Sequence, residues 1–368
     1  MKVLLLLTDL FQAVGGIQTF NRVMVKALDE IAQKRKWKVE VLVLNDDGDH
    51  ITPVCYFGCE RTECRLFRRR KLTFARYALT HALDASIIIL GHVNFSPLAL
   101  ALRLFIPRRL LFLMIYGVEV WRRLPLFQRL GMKQSDRIVS ISKSTRDKTI
   151  SFNCFDCSLF DILPCTLDPL YKKEMASEAK EGVSLPLGRM ILSVSRLESS
   201  ESAKGIEKVI ESLPKVLKSQ QDAVYVIVGE GSDRYRLERL AKELGVSEKV
   251  FFAGQVSDRD LASYYKACHV FVLPSLKEGF GIVFLEAMYY AKPCIGAEAG
   301  GIPEVIEDGQ TGFLVAPNDT QTLADRLIRL LSDNALHNAM GQAGKMRLDR
   351  EFSFNVFTRR LEAILCRT

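Results

Sequence analysis

Short apolar runs alternate with segments whose apolar residues recur at helical spacing, and this alternation limits the possible folds more than any other feature. Continuous apolar strands separated by helices are typical of parallel sheets that are covered on both faces. The pattern restarts after residue 189, so the sequence predicts an α/β chain with two Rossmann-like, doubly wound parallel sheets. The predicted strands are 3–7, 39–44, 86–90, 110–115 and 137–141 in the first series, and 190–194, 224–228, 250–252, 270–273, 294–296 and 313–315 in the second.

The length of the chain and its proline and glycine positions predict two domains. A chain of 368 residues exceeds what one ordinary hydrophobic core accommodates. Residues 163–188 contain three prolines and two glycines, the composition of a linker. We therefore expect domains at 1–170 and 171–368, with a C-terminal helix that returns to the first domain. Because ligands of open parallel sheets bind at the carboxyl ends of the strands, we expect the site in a cleft between the two sheets.

The excess of positive charge is confined to the first half of the chain. Residues 1–180 hold 28 Lys and Arg against 18 Asp and Glu, whereas residues 181–368 hold 23 against 25. Basic clusters at 68–71, 108–109 and 122–123 stand beside apolar residues. Such a mixture suits an anionic membrane surface, and a solvated face is the alternative interpretation. The sequence has no recognisable nucleic-acid module, so we do not expect nucleic acid as a partner.

The cysteines and the apolar segments predict a cytoplasmic protein. The nine cysteines include one CxxC pair, Cys154 and Cys157, without the further ligands of a zinc site, so free thiols in a reducing compartment are expected. The apolar run at the N-terminus is shorter than a secretory core, and charged residues and a proline interrupt the segment 98–116. If the basic half binds lipid, the protein is peripheral at the inner face of the membrane.

The strongest functional pattern combines two glutamates with a glycine-rich loop. Glu278 precedes Gly279-Phe280-Gly281, and Gly281 opens an apolar helix whose free amides favour an anion. Glu286 is the lone charge in that helix, and a buried carboxylate needs hydrogen-bond partners. Two ribose hydroxyls are suitable partners. Compensation of the helix dipole for Glu278 and an internal hydrogen bond for Glu286 remain the alternatives.

Two cations and a glycine pair also follow predicted strands. Arg196 follows the strand 190–194, and Lys204 precedes the next helix, which suits a diphosphate. Surface ion pairing is the alternative for both. Gly15-Gly16 follows the first strand, where backbone amides at a helix start can contact phosphates, but such glycine pairs are also common turns.

Two further patterns are better explained without a ligand. Asp47-Gly48-Asp49 has the form of a metal-binding DxD, but its Asn-, Asp- and Gly-rich surroundings favour a turn. Gly229-x-Gly231 follows a strand, but Arg234 occupies the third glycine position of a dinucleotide fingerprint. A nicotinamide-dependent oxidoreductase is therefore not expected.

Taken together, these motifs resemble the retaining glycosyltransferases of family 4, which have the GT-B fold. The resemblance extends over nearly the whole chain and is densest over 190–317. The matching segments are Gly15-Gly16, Ser195-Arg196-Leu197, Lys204-Gly205, Gly229-Glu230-Gly231, Glu278 through Glu286, Gly300-Gly301-Ile302-Pro303-Glu304 and Asp308 through Gly312.

The resemblance implies roles for these residues. Arg196 and Lys204 would hold the donor diphosphate, Glu286 the ribose, and Glu278 with the amides of Phe280 and Gly281 the donor sugar and phosphate. Catalysis would rest on Glu278, Arg196 and Lys204. From the first domain, Gly15 and Gly16 would close on the diphosphate.

The resemblance also implies the reaction. A hexose would move from a nucleotide-diphosphate sugar to a glycan or lipid-linked glycan, as in polysaccharide biosynthesis, with retention of configuration and without a metal ion or other cofactor.

The chain departs from the family at one position. Tyr116 stands before Gly117, where the family usually has a His that contacts the donor sugar. His92 is a second candidate for this sugar or acceptor contact, and an incidental loop histidine is the alternative. A hydrolase or epimerase of the same fold and an inactive nucleotide-sugar-binding subunit therefore remain open as functions.

Overall fold

The computed structural model describes residues 1–12, 15–47, 61–170 and 185–367. The chain divides into two compact units. The first unit contains Met1–Asp168 and Ser353–Thr368, and the second contains Pro169–Phe352. Among the described residues, no helix is long and apolar enough to cross a membrane.

The first unit is built on a seven-stranded parallel sheet with the order β3-β2-β1-β4-β5-β6-β7. Val3 to Leu7 of the first strand are almost completely buried, as expected for a strand with helices on both sides. The strands are β1 (Lys2–Leu7), β2 (Lys38–Val43), β3 (Thr62–Leu66), β4 (Ile87–Leu90), β5 (Leu110–Ile115), β6 (Arg137–Ser140) and β7 (Phe160–Ile162).

Six helices of the described residues belong to the first unit. The last of them packs on the first, where the rings of Phe357 and Phe20 meet edge to face with centroids 5.5 Å apart. The helices are α1 (Gly16–Arg35), α2 (Lys71–Ala82), α3 (Ser96–Phe105), α4 (Leu126–Met132), α5 (Lys143–Asn153) and, far along the chain, α13 (Phe354–Leu365).

The second unit is built on a six-stranded parallel sheet with the order β10-β9-β8-β11-β12-β13. Its strands are β8 (Arg189–Val194), β9 (Ala223–Val228), β10 (Val250–Gly254), β11 (Val270–Leu273), β12 (Cys294–Ala297) and β13 (Gly312–Val315). Its helices are α6 (Ile206–Ser219), α7 (Arg234–Glu243), α8 (Asp258–Ala267), α9 (Ile282–Tyr289), α10 (Ile302–Val305), α11 (Thr320–Ser332) and α12 (Asn334–Glu351).

Each sheet has one point at which the strand order reverses. In the first unit the order reverses between β1 and β4, and in the second between β8 and β11. The loops that leave the two central strands there diverge to opposite faces of the sheet and leave a crevice at its carboxyl edge. The fold therefore places residues 8–12, 15–16 and 91–95 at one crevice and residues 195–205 and 274–281 at the other.

The structure confirms the predicted fold class and all the predicted strands. It adds two strands, β3 and β7, that the hydrophobic pattern missed. β3 lies at the sheet edge, so only Thr62 of its residues is buried and the strand shows no apolar run. β7 has only three residues, too few for a periodic signal.

Candidate functional site

Two of the residues that the sequence singled out in the second unit are in direct contact. The Lys204 ammonium lies 2.9 Å from Oε2 of Glu278, although 74 positions separate them in the chain. Both side chains are about one-fifth exposed, at 24% and 17%. The loops after β8 and β11 bring them together, so a charged pair that solvent still reaches stands at the reversal point of the sheet.

Backbone contacts hold the Lys204 loop against the Glu278 loop. The amide of Leu276 donates to the carbonyl of Ala203 at 2.7 Å, and the Ser275 hydroxyl donates to the same carbonyl. Gly205 has a φ of +77°, and a Cβ there would lie 2.4 Å from the carbonyl oxygen of Pro274. Only glycine fits this close approach, which explains the Lys-Gly pattern before helix α6.

A second glycine pair supports the Glu278 loop from the other side. The amide of Gly301 donates to the carbonyl of Glu278 at 2.8 Å. Gly300 has a φ of +59°, and a Cβ there would lie 2.3 Å from the same carbonyl oxygen. The Gly300-Gly301 motif therefore acts on Glu278 through the backbone, as a support for its loop.

Arg196 lies on the loop after β8 and its side chain is exposed. The amide of Leu197 donates to the carbonyl of Glu230, and the Leu197 carbonyl accepts from Asp233. The Gly229-Glu230-Gly231 segment after β9 thus packs along the Arg196 loop and fixes its backbone. Its glycines allow this close packing, because a Cβ at Gly229 or Gly231 would meet the backbone of Ser195 or Leu197.

Phe280 and Gly281 lead into helix α9. The Phe280 side chain is 2% exposed and meets the ring of Phe352 at 5.6 Å, so this residue can offer a ligand its backbone amide but not its ring. Gly281 is the N-cap residue with a φ of +98°, and no side chain caps the first turn. The amides of this turn stay available for an anion.

Glu286 has a partner that the sequence did not identify. The hydroxyl of Tyr265, from helix α8, donates to Oε2 of Glu286 at 2.7 Å. Burial raises the pKa of Glu286 to about 7, although the hydrogen bond from Tyr265 works in the opposite direction. The residue as a whole retains some solvent access. A carboxyl whose pKa is raised by burial, and whose Oε2 accepts from Tyr265, is therefore positioned on helix α9.

In the first unit, the loop before helix α1 is fixed by Asp46, another residue that the sequence did not identify. The buried carboxylate of Asp46 accepts hydrogen bonds from the amides of Leu10, Phe11 and Gln12, at 3.1, 3.0 and 3.4 Å. Gly15 is extended and Gly16 begins the helix, without a capping side chain. Ala13 and Val14, which lie between Gln12 and Gly15 in the sequence, are outside the described residues.

Tyr116 is an internal support in this structure. Its hydroxyl donates to the carbonyl of Gly91 at 2.9 Å and contacts Oδ1 of Asn21 at 3.1 Å. The residue is 5% exposed, and burial raises the pKa of its phenol well above the usual range. Tyr116 therefore ties the end of β5 to the end of β4 as a neutral hydrogen-bond donor.

His92 lies beside Tyr116, with ring centroids 6.2 Å apart. Nδ1 of His92 accepts from the amide of Asn94 at 3.1 Å, which leaves the proton of the neutral ring on Nε2. Burial lowers the pKa of His92. His92 thus presents a neutral imidazole at the reversal point of the first sheet, where the sequence placed a sugar or acceptor contact.

The sequence also contains a pattern of the metal-binding DxD form, at Asp47-Gly48-Asp49. Of Asp47-Gly48-Asp49, Gly48 and Asp49 lie outside the described part of the chain. Within that part, no group of three or more His, Cys, Asp or Glu side chains is arranged to hold a metal ion.

The Lys204 and Glu278 loops lie within a segment that matches a known protein family. Residues 180–347 match the family described as Glycosyl transferases group 1. Over this segment, which is slightly less than half of the chain, the protein is similar to this family. The matched segment includes Arg196, Lys204, Glu278 and Glu286, so the family match and the Lys204–Glu278 contact concern the same part of the chain.

Curated proteins are similar to part of the chain. N-acetyl-alpha-D-glucosaminyl L-malate synthase of Bacillus anthracis is 29% identical over 236 residues, which cover 64% of this chain and 61% of that enzyme. A GDP-mannose-dependent alpha-(1-6)-phosphatidylinositol monomannoside mannosyltransferase of Mycobacterium tuberculosis is 29% identical over 264 residues, 68% of each chain. The chain thus spans less than two thirds of the first relative's length.

Solved structures resemble the whole chain in fold. The structure of HepE of Anabaena in complex with UDP and glucose matches with a TM-score of 0.79 at 18% identity, over 100% of both chains. At this identity the likeness concerns the fold alone. The expected GT-B fold, with two Rossmann-like parallel-sheet domains, is confirmed.

Proposed function

We propose that this protein is a glycosyltransferase that moves a hexose from a nucleotide-diphosphate sugar to a hydroxyl group of a glycan or lipid-linked glycan. The contact between Lys204 and Glu278 at the reversal point of the second sheet carries this proposal. It joins a cation suited to a phosphate with a carboxylate suited to sugar hydroxyls. The relatives named above, one of them dependent on GDP-mannose, support a nucleotide sugar as the donor.

Cations and helix amides hold the diphosphate in this proposal. Lys204 and Arg196 bind its oxygens, together with the amides of Phe280 and Gly281 before helix α9. A close pair of opposite charges about 4 Å apart contributes roughly 4 kcal/mol at an effective dielectric constant near 20. Because the diphosphate gains negative charge as it departs, this attraction is stronger in the transition state than in the ground state.

The two glutamates bind the sugars of the donor. Glu278 accepts hydrogen bonds from hydroxyls of the transferred sugar, and its pairing with Lys204 keeps its oxygens at the phosphate end of the site. Glu286, with one oxygen held by Tyr265, accepts from the ribose hydroxyls. Gly15, Gly16 and His92 of the first unit are proposed for the phosphate and for the sugar or acceptor.

The reaction that fits these groups retains the anomeric configuration. The acceptor oxygen forms a bond to the anomeric carbon on the face from which the diphosphate oxygen departs. The bond between that carbon and the diphosphate oxygen breaks, and the acceptor proton passes to a departing phosphate oxygen. Lys204, Arg196 and the helix amides balance the charge of the product, so we propose that the reaction needs no metal ion.

The charge distribution supports a membrane partner for this enzyme. We propose a cytoplasmic enzyme whose basic first unit associates peripherally with an anionic membrane surface, where a lipid-linked acceptor is found. The basic excess of residues 1–180 supports this partner.

Substitution of the two cations tests the transfer reaction. We expect Arg196→Ala and Lys204→Ala each to lower the rate of transfer on the order of a hundredfold, because each removes an electrostatic donor to the leaving group. Donor use is measured with a panel of nucleotide sugars, first by thermal stabilisation and then by turnover with and without acceptor.

Lys208→Ala is the matched control, since Lys208 lies four positions further on helix α6 and pairs with Glu211. Transfer at the wild-type rate by both Arg196→Ala and Lys204→Ala would contradict the diphosphate assignment. Sugar release that is independent of acceptor would favour a hydrolase. Binding without turnover of any donor would favour an inactive binding subunit.

A further inference from the structure

The helices of the first unit place two of the three basic clusters at one end of a helix layer. Helices α2, α3 and α4 follow β3, β4 and β5, so each begins at the carboxyl edge of the sheet. The rings of Phe74 in α2 and Phe95 before α3 stack at 5.3 Å. Nε2 of Gln128 in α4 donates to Oδ1 of Asn94 at 3.2 Å. The beginnings of α2 and α4 are thus joined through residues 94 and 95.

This end combines positive charge with exposed apolar side chains. Leu72 is 88% exposed, Leu126 60% and Phe127 67%, which is unusual for side chains of this size. The adjoining cations are exposed as well. We call the following residues the carboxyl-edge patch: Arg69, Arg70, Lys71, Leu72, Arg122, Arg123, Leu126 and Phe127.

The sequence around the carboxyl-edge patch lacks negative charge. Residues 64–83 contain six Lys or Arg and no Asp or Glu, and residues 120–135 contain four Lys or Arg and no Asp or Glu. Before α2, Arg68 and Arg69 both adopt the left-handed backbone conformation, with φ of 50° and 63°. This conformation is uncommon for residues other than glycine and persists where the surrounding structure holds it. Here the amide of Arg69 donates to the carbonyl of Leu44.

The third basic cluster lies at the other end of the same helices. Nη2 of Arg109 donates to the carbonyl of Leu83 after α2, so Arg108 and Arg109 stand where α2 and α3 end. Leu104 and Phe105 are exposed there, at 81% and 67%. This opposite end also carries the carboxylates of Asp84 and Asp136, which pair with Lys2 and Arg103. Its charge is therefore partly compensated.

From this arrangement we infer that the carboxyl-edge patch is the surface by which the first unit docks on an anionic phospholipid bilayer. Leu72, Leu126 and Phe127 enter the interfacial layer, and the five cations face the headgroups. Each cation near such a surface contributes about 1 kcal/mol, and buried apolar side chains add to this. His92 and the Tyr116 segment lie at the same edge of the sheet, so docking brings these residues to the headgroup layer, where a lipid-linked acceptor hydroxyl is found.

The inference rests on the membrane partner proposed above and not on the chemistry of transfer. Co-sedimentation of the full chain with phosphatidylcholine vesicles, with and without phosphatidylglycerol, tests it without any nucleotide. We expect binding that requires phosphatidylglycerol and that falls as salt is raised, since salt screens exposed charges. Binding that is equal for both vesicle compositions would overturn the inference, and so would an absence of binding.

The two ends of the helix layer supply matched variants. Arg122→Ser with Arg123→Ser should weaken the partition on vesicles by about tenfold or more, because two cations are lost. Arg108→Ser with Arg109→Ser removes the same charge at the opposite end and should change the partition by about twofold or less. The same comparison is made for the apolar side chains: the partition on vesicles of Leu126→Ser with Phe127→Ser is compared with that of Leu104→Ser with Phe105→Ser at the opposite end.

The outcome is decided by comparing the two ends. Equal losses from both arginine pairs would show that net charge and not the carboxyl-edge patch governs binding, and a larger loss from the opposite end would reassign the surface. Thermal unfolding and stabilisation by nucleotide are measured for every variant. Vesicle binding that fails while nucleotide stabilisation persists would reject the docking surface and leave the transferase proposal intact.

Discussion

At the scale of single residues, the structure gives a physical context to the charges that the sequence singled out. Lys204 and Glu278 neutralise each other as an ion pair. In the proposed complex the diphosphate shares the Lys204 cation with Glu278, and we expect the Glu278 carboxylate to face the adjoining sugar. Glu286 is different, because Tyr265 and the surrounding apolar helix residues control its protonation.

We expect the nucleotide affinity to depend on the protonation of Glu286. Its pKa of about 7 lies above the ordinary range because burial disfavours the charged form. Ribose hydroxyls donate best to the carboxylate, so affinity should rise as pH increases through 7, by about tenfold between pH 6 and pH 8. Isothermal titration calorimetry with a nucleoside diphosphate measures this change.

Glu286→Gln separates this effect from the titration of the nucleotide itself. The amide has no carboxyl to titrate, so its affinity should be weaker at high pH and should show a flatter dependence on pH. A pH profile that is the same in the wild type and in Glu286→Gln would remove the ribose role.

At the scale of elements, glycine loops at the ends of parallel strands determine where the site residues stand. The loop after β12 supports the loop after β11 through Gly300 and Gly301, and Gly205 allows the Lys204 loop to approach Pro274. Neither support bears a side chain that a ligand can contact. Their effect on function is therefore indirect, through the position of Glu278.

We expect Gly300→Ala to lower transfer by at least about tenfold. The new Cβ would lie 2.3 Å from the carbonyl oxygen of Glu278, so the Glu278 loop must move, and such displacements are costly for catalysis. Gly309→Ala is the control, because Gly309 has a similar φ of +73° and nothing within 4 Å of the added Cβ. Steady-state rates of the two variants are compared. Equal rates would show that the contact with Glu278 does not matter.

At the scale of the whole molecule, the first unit is completed by a helix from the far end of the chain. Residues 353–368 belong to the same compact unit as residues 1–168. Helix α13 packs on α1 through Phe357 and Phe20, and Glu362 pairs with Lys34 and Arg35. Folding of the first unit therefore depends on residues that follow the whole second unit in the sequence.

We expect Phe357→Ala to destabilise the protein by about 3–5 kcal/mol, because the ring is 2% exposed and its removal leaves a cavity against Phe20. Phe152→Ala is the control within the same unit, since Phe152 is 50% exposed. Urea unfolding followed by circular dichroism measures both variants. A midpoint for Phe357→Ala equal to that of the control would contradict the contribution of α13 to the first unit.

The sequence by itself determined the fold class and the order of the buried strands, and it indicated the family resemblance. Apolar runs and helical spacing are local patterns. They are visible in the sequence because both faces of each central strand are covered and therefore need apolar residues. Glycine and charged motifs at strand ends likewise marked Arg196, Lys204, Glu278 and Glu286 as candidates. The edge strand β3 left no such signal, because an exposed edge needs no apolar run.

Only the tertiary structure decided which of these residues meet and which partners they have. The Lys204–Glu278 pair spans 74 positions, and the Glu286–Tyr265 contact joins two helices. Tyr116 stands in the sequence where the family usually has a sugar-contacting His, and the structure shows that its hydroxyl hydrogen-bonds inside the first unit. The three basic clusters were equivalent in sequence, and the direction of the helices placed them at two different ends. Such contacts depend on distances in space between residues far apart in the chain, which spacing along the sequence does not encode.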